Sequence, residues 1–230
     1  MPLNASNAKG SVLRLVRPEE VTEPEVLERF RLSLSEDERA RIARFVFEKD
    51  RHVRLVARGS LRQALSEYTG GIPAGAFRFG YSEYGKPFLE HPVHCTSLGF
   101  NVSHCDGLIA ILIAEGIEVG VDVEAIRPMA DLLRVAHRFF APPELGDLRR
   151  TPEDLRVERF FQYWTLKESY IKARGVGLRL GLSQFWFELE DGIRIRFAEG
   201  FDDDPAGWGF SQQRVDAGHW LATSMRRRSA

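Results

Sequence analysis

Residues 151–175 read TPEDLRVERFFQYWTLKESYIKARG, and this stretch decides the fold. Thr151 stands as an N-cap, Pro152 fits the first turn, and Gly175 supplies a left-handed stop. Together they predict one long helix. At about 100° per residue, Phe160, Trp164 and Ile171 form one apolar stripe, and Lys167 falls inside it. Phe161, Tyr163, Leu166 and Tyr170 make the other faces apolar as well, so the helix is expected to be mostly buried. Its charges then need partners, because an unpaired buried charge is costly. Glu168 and Lys172 are i,i+4 neighbours. On an exposed helix they would simply pair, for about a few tenths of a kcal/mol. The aromatic surroundings argue against a freely solvated pair.

Downstream, strands are expected at Phe185–Glu190, Ile193–Phe197, Trp208–Val215 and Trp220–Met225, the first two joined by a turn at Asp191-Gly192. Upstream, Ser11–Val16 reads as a strand and Glu23–Leu34 as a helix. Ser35 with Glu38 has capping-box spacing and starts helical sequence running to about Tyr68, where Thr69-Gly70-Gly71 stops it. Short strands follow at Phe77–Tyr81, Leu98–Val102, Leu108–Ala114 and Glu118–Val123, with a turn at Glu83–Pro87. A third helical zone, Met129–Phe140, ends at Ala141-Pro-Pro143. Mixed helices and hairpin-linked strands predict an α+β protein with antiparallel sheets. No internal sequence repeat is evident. The division expected is an N-terminal half, 1–115, and a C-terminal half, 116–230.

With 230 residues, 43% apolar and 11% aromatic, the chain can bury a substantial core. A net charge of −1 provides no global field toward nucleic acid or an acidic membrane. Two cysteines, Cys95 and Cys105, fit reduced thiols in a reducing compartment. The first residues lack a continuous apolar run, and the longest such run, Leu108–Ala114, is too short to span a bilayer. A cytoplasmic, soluble protein is the expectation.

The chemistry begins with Gly120-Val-Asp122-Val-Glu124. On a strand, residues two apart share a face, so Asp122 and Glu124 can meet one ligand. Adjacent carboxylates repel unless a cation joins them, and Mg²⁺ suits carboxylate oxygens with phosphate as a further ligand. The plainer reading is an exposed acidic pair at a strand end. Asn101, Ser103 and His104 sit where one strand ends and another begins, either binding phosphate or satisfying a turn. Lys86 sits on the Glu83–Pro87 turn. Residues 39–62 carry Arg39, Arg41, Arg44, Lys49, Arg51, Arg54, Arg58 and Arg62 against Glu48 and Asp50. Arg51, Arg54, Arg58 and Arg62 share a helical face, which is either solvated or a phosphate-binding surface.

The order of basic helix, Gly85-Lys86-Pro87, Asn101-x-Ser103-His104, Gly120-x-Asp122-x-Glu124 and Trp164-x-x-Lys167-Glu168-x-x-x-Lys172 resembles the 4′-phosphopantetheinyl transferases, in their larger, monomeric, surfactin-synthetase-activating type. The likeness covers roughly residues 35–185, and Phe139-Phe140 before an acidic turn and Gly175-Val-Gly177-Leu178 also fit it. It implies two similar α/β halves in a pseudo-twofold arrangement, each a small, mostly antiparallel sheet packed with a long helix, with coenzyme A and Mg²⁺ (or Mn²⁺) in the cleft between them. It implies transfer of phosphopantetheine from coenzyme A to a serine of an apo acyl or peptidyl carrier protein, releasing adenosine 3′,5′-bisphosphate. Asp122, Glu124 and Glu168 would hold the metal, and Glu168, Lys172 and Asp122 would be catalytic. Lys172, Lys167, Lys86, Asn101, Ser103 and His104 would contact coenzyme A, with Arg41 or Arg54 on its 3′-phosphate. Lys172 and the cation would neutralise the pyrophosphate while Glu168 takes the serine proton.

Two other functions stand beside this one: another Mg²⁺-dependent phosphate-transfer enzyme, and a non-catalytic module binding coenzyme A or a carrier protein. Partners in nucleic acid or membrane find no support, and a chain with both halves has no need to dimerise. Asp202-Asp203-Asp204 reads as a solvated loop, and Arg226-Arg-Arg228 as a frayed tail.

Overall fold

The computed structural model describes residues 3–5 and 10–227, with residues 3–5 and Leu178 as backbone only. Residues 1, 2 and 6–9 of the N-terminal segment, and Arg228 of the basic tail, lie outside the described residues. The chain separates into two compact units, one of Met1–Tyr81 with Pro87–Gly116, the other of Ser82–Lys86 with Ile117–Ala230. The turn Ser82–Lys86, which the sequence reading places in the first half, clusters with the second unit.

The first unit contains strands β1 (Leu3–Ala5) and β2 (Ser11–Val16), helices α1 (Pro24–Ser33), α2 (Glu36–Ala43) and α3 (Glu48–Tyr68), and strands β3 (Arg78–Tyr81), β4 (Pro87–His91), β5 (Leu98–Cys105) and β6 (Leu108–Glu115). Its main sheet has the order β1-β2-β6-β5, all antiparallel, and β3-β4 is a separate ribbon. β6 is central and buried from Leu108 to Ala114, which explains an unbroken apolar run where an exposed strand would alternate. Ile109, Ile111 and Ile113 join one core with Val56, Leu61 and Leu65 of α3 and Phe30 of α1. Gly59 is what lets α1 and α3 close up, since a Cβ there would lie 2.2 Å from the Phe30 ring.

The capping box at Ser35 is present, with Glu38 and Ser35 exchanging 2.8 and 3.3 Å hydrogen bonds. Glu38 has a second task. Its carboxylate pairs with Arg58 and, at 2.7 Å, with Arg62, whose side chain is buried and also donates to Ala74 O and Phe77 O. Burial opposes ionisation of Glu38, but the two guanidiniums and the Ser35 amide hold its pKa below the ordinary value. The arginine face of α3 is therefore not a solvated stripe. Arg58 and Arg62 lie against the Phe79 ring, and Arg51 caps Phe45 O and Val46 O. Of the four, Arg54 is the one left exposed.

The second unit contains β7 (Val119–Ala125), helices α4 (Leu132–Phe139), α5 (Pro142–Arg150) and α6 (Glu153–Arg174), and strands β8 (Phe185–Glu188), β9 (Arg194–Phe197), β10 (Trp208–Asp216) and β11 (His219–Arg226). The sheet order is β10-β11-β7, antiparallel, with β8-β9 as a hairpin. α6 lies across this sheet, and its aromatic residues build the core with Phe140, Phe185, Phe187 and Trp208. Gly175 ends α6 with a φ of +67°, as its position predicts.

Three expectations change here. Ala141-Pro-Pro143 does end α4, but the prolines also open α5, because a missing N–H costs nothing in a first turn. Thr151 is not the N-cap of α6; its hydroxyl donates to Asp147 O and so closes α5. Asp203 is not solvated. Its side chain is buried and accepts from Tyr170, Arg174, Trp208 and Arg226, so Arg226 ends β11 as an anchored residue and not as part of a tail. Each half thus carries an antiparallel sheet packed with one long helix, the α+β architecture predicted. Among the described residues no helix is long and apolar enough to cross a membrane, and Cys95 and Cys105 are free thiols.

Candidate active site

The site is assembled by the meshing of β7 with α6. Gly120, Asp122 and Glu124 alternate onto the face of β7 turned to the helix, while Val119, Val121 and Val123 are buried. A Cβ at Gly120 would lie 2.0 Å from Ser169 O and 2.5 Å from Ala173 N, so strand and helix backbones touch there. One step along, Asp122 Oδ1 accepts from Lys172 at 2.6 Å. One step further, Glu124 Oε1 accepts from the Trp164 indole at 3.2 Å. The periods match. Four helical residues rise about 6 Å and two strand residues about 6.6 Å, so D-x-E on the strand registers with W, E and K spaced by four on the helix. On the same face, Ser169 Oγ of α6 and Ser224 Oγ of β11 hydrogen-bond at 2.7 Å, Ser224 being the β11 partner of Gly120.

Burial and mutual repulsion act on the acids together. Burial, then Asp122, push the Glu124 carboxyl above its ordinary pKa, against the indole bond and Lys172. Burial, then Asp122, do the same to Glu168, with Glu124 adding to it and Lys172 opposing. A hard cation would relieve all three acids, and their oxygens are the donors such an ion prefers. As the side chains stand, Lys172 answers Asp122, and among the described residues no three acidic, histidine or cysteine side chains converge on one point. The donor set fits a divalent cation by its chemistry and register; side-chain rotation from these positions is what would close it.

Lys172 pairs with Asp122, 50 residues away in sequence, and its charge also acts on Glu168, its i,i+4 neighbour. Lys167 requires correction as a coenzyme A contact. Its side chain is wholly buried, ion-paired to Glu144 at 2.8 Å and bonded to Leu182 O and Phe185 O at 2.7 and 2.6 Å. Its place in the apolar stripe turned it into the core, where Glu144 also accepts from the Ala141 and Phe187 amides. Glu144 was missed; its signal was an acid at the third position of a helix opened by two prolines. Lys86 is half-buried, and its ammonium donates to Ala173 O and, at 3.4 Å, to Val119 O. Burial holds it down at about 8.

On the first unit, Arg41 is exposed and donates to the Tyr81 hydroxyl at 2.9 Å, its guanidinium 5.1 Å from that ring. Arg54 lies 4.9 Å over the Phe45 ring. Asn101, Ser103 and His104 lie on β5 beside its two-residue turn to β6, opposite Leu112, Ala110 and Ile109. Asn101 and Ser103 are buried and His104 is half-buried.

The site is thus a set of carboxylates and a lysine spread over one strand and one helix of an α+β unit. The family follows from sequence comparison. Residues 118–224 match the model of the 4′-phosphopantetheinyl transferase superfamily, and residues 22–116 match that of the 4′-phosphopantetheinyl transferase N-terminal region. The 4′-phosphopantetheinyl transferase HetI of Nostoc sp. is 40% identical over 146 residues, 64% of this chain and 61% of that protein. A 4′-phosphopantetheinyl transferase of Bacillus subtilis is 33% identical over 164 residues, 71% of this chain and 70% of its own. A phosphopantetheinyl transferase of Thraustochytrium sp. is 30% identical over 215 residues, 88% of this chain and 73% of its own. The chain belongs to the 4′-phosphopantetheinyl transferase superfamily, and carrying both matched regions on one polypeptide it is of the larger type.

Proposed function

We propose that this protein transfers the 4′-phosphopantetheine arm of coenzyme A to a serine hydroxyl of an apo acyl or peptidyl carrier protein. The serine oxygen bonds to the phosphorus bearing the arm, the pyrophosphate bridge breaks, and adenosine 3′,5′-bisphosphate leaves. The observation that carries the reading is the register of Asp122 and Glu124 with Glu168 and Lys172 across β7 and α6.

Asp122, Glu124 and Glu168 would hold Mg²⁺, or Mn²⁺ in its place. Such an ion, when bound, supplies charge neutralisation at the pyrophosphate. Lys172, released from Asp122, faces the same anion and stabilises the departing bisphosphate. Glu168 accepts the serine proton; burial and its acidic neighbours raise its proton affinity, which suits a base. By motif position Arg41, exposed at the end of α2, is the better candidate for the 3′-phosphate, and Arg54, also exposed, is a second cation nearby in sequence. Asn101, Ser103 and His104 are assigned to coenzyme A by their motif positions. A cytoplasmic monomer follows from the same family reading.

The test is intact-mass measurement of a panel of apo carrier proteins after incubation with coenzyme A and Mg²⁺. The reading predicts gain of one phosphopantetheinyl arm on at least one carrier with wild-type enzyme and none with Glu168→Gln, which still binds coenzyme A. Tight calorimetric binding of ATP with none of coenzyme A would instead favour a different phosphate-transfer enzyme.

A further inference from the structure

Lys86 sits on a turn built to hold it. The Ser82 amide donates to Lys86 O and the Gly85 amide to Ser82 O, both at 2.9 Å, and the Lys86 amide donates to Ser82 Oγ at 3.1 Å. The turn is anchored to the segment after α6, where the Arg179 guanidinium lies 5.4 Å from the Tyr84 ring. The aliphatic stem of Lys86 fills the space that Gly175 leaves open; a Cβ there would lie 2.6 Å from Lys86 Cδ.

The ammonium lies at the end of the β7–α6 mesh. Ala173 O is one of the last carbonyls of α6, which have no partner within the helix, and a cation there is favoured by the helix dipole. Val119 O is at the start of β7, the edge strand of its sheet. One ammonium thus joins the helix one residue beyond Lys172 to the strand three residues before Asp122. Gly120, between these points, permits backbone contact but provides no side chain to maintain it.

We infer that Lys86 is a positioning residue that clamps β7 to α6 and so sets the distance between Asp122 and the Glu168–Lys172 pair. Its catalytic consequence rests on the transfer reading above; the clamp itself does not. Burial lowers the Lys86 pKa to about 8, and at neutral pH the side chain is still an ammonium able to donate to both carbonyls.

Lys86→Met keeps the stem and deletes the donor, and Lys86→Arg restores a cation. Hydrogen–deuterium exchange should be faster in Lys86→Met over 119–125 and 168–176, with β8 and β9 unchanged. In the transfer assay kcat should fall about tenfold or more, with KM for coenzyme A within about threefold of wild type, and Lys86→Arg should recover most of both. Unchanged exchange would overturn the clamp. So would a raised KM at constant kcat, which places the ammonium on coenzyme A, or a Lys86→Arg protein as impaired as Lys86→Met. If wild type modifies no carrier, the transfer reading fails while the exchange data still decide the clamp. If Lys86→Met does not fold, Gly175→Ala, which displaces the stem without removing charge, must show the same exchange pattern or the inference is wrong.

Discussion

Replacing Lys167 with methionine keeps the length of the side chain and deletes its charge inside a fully buried ion pair. Glu144 is then left with two amide donors and no cation. Its carboxyl, already pushed up by burial and restrained chiefly by Lys167, would keep its proton in the fold. The unfolded chain ionises near the ordinary value of 4.5, so each pH unit above that costs the variant about 1.4 kcal/mol. At pH 7 the cost is taken as about 3 kcal/mol, the lower end of the roughly 3–5 kcal/mol for deleting one partner of a buried pair. For a chain of this size each kcal/mol moves Tm by about 2–4 °C, which gives a deficit of about 6–12 °C. The sign follows from proton counts: the folded variant binds more protons than the unfolded one above pH 4.5, so stability falls as pH rises. Thermal unfolding followed by circular dichroism at pH 5 and pH 7 should show the deficit shrinking at pH 5. Glu144→Gln added to Lys167→Met should remove the pH dependence. Below its Tm the single variant should keep the wild-type KM for coenzyme A. A Tm within about 2 °C of wild type at pH 7 would refute the reasoning, as would a deficit equal at both pH values or a raised KM at unchanged Tm.

Two further predictions concern the mesh. Glu168 and Glu124 weaken the fold, because burial and Asp122 raise both proton affinities. Without divalent cation Glu168→Gln should therefore melt above wild type at pH 8, the gap closing as pH falls toward 4.5, each kcal/mol relieved showing as about 2–4 °C; added Mg²⁺ should stabilise wild type more than the variant. Gly120→Ala should cost about 3 kcal/mol or more, since its Cβ meets helix backbone that cannot move aside as a side chain would, and transfer should fall with it. Gly209→Ala, whose Cβ meets nothing closer than 3.9 Å, is the matched control; equal melting of the two would be contrary to the mesh.

Most of the fold was legible because it rests on local signals. Ser11–Val16, the capping box at Ser35 and the Gly175 stop depend on residues a few positions apart, and each stands where the sequence puts it. What escaped was long-range. Lys172 has a near neighbour in Glu168 but pairs with Asp122, a partner chosen by the β7–α6 register. Asp203 lies in a run of acids with Pro and Gly, which reads as loop, yet four side chains from α6, β10 and β11 converge on it. Lys167 already stood in the apolar stripe; its inward position was readable, and its buried partner Glu144 was not.

The central claim is that one divalent cation is gripped by acids on both β7 and α6 in the presence of coenzyme A. Mn²⁺ titration monitored by electron paramagnetic resonance, with coenzyme A present, addresses it directly. Wild type should take up one tightly bound ion, and Asp122→Asn and Glu168→Gln should each lose it while remaining folded. Retention of that ion by both variants would contradict the account.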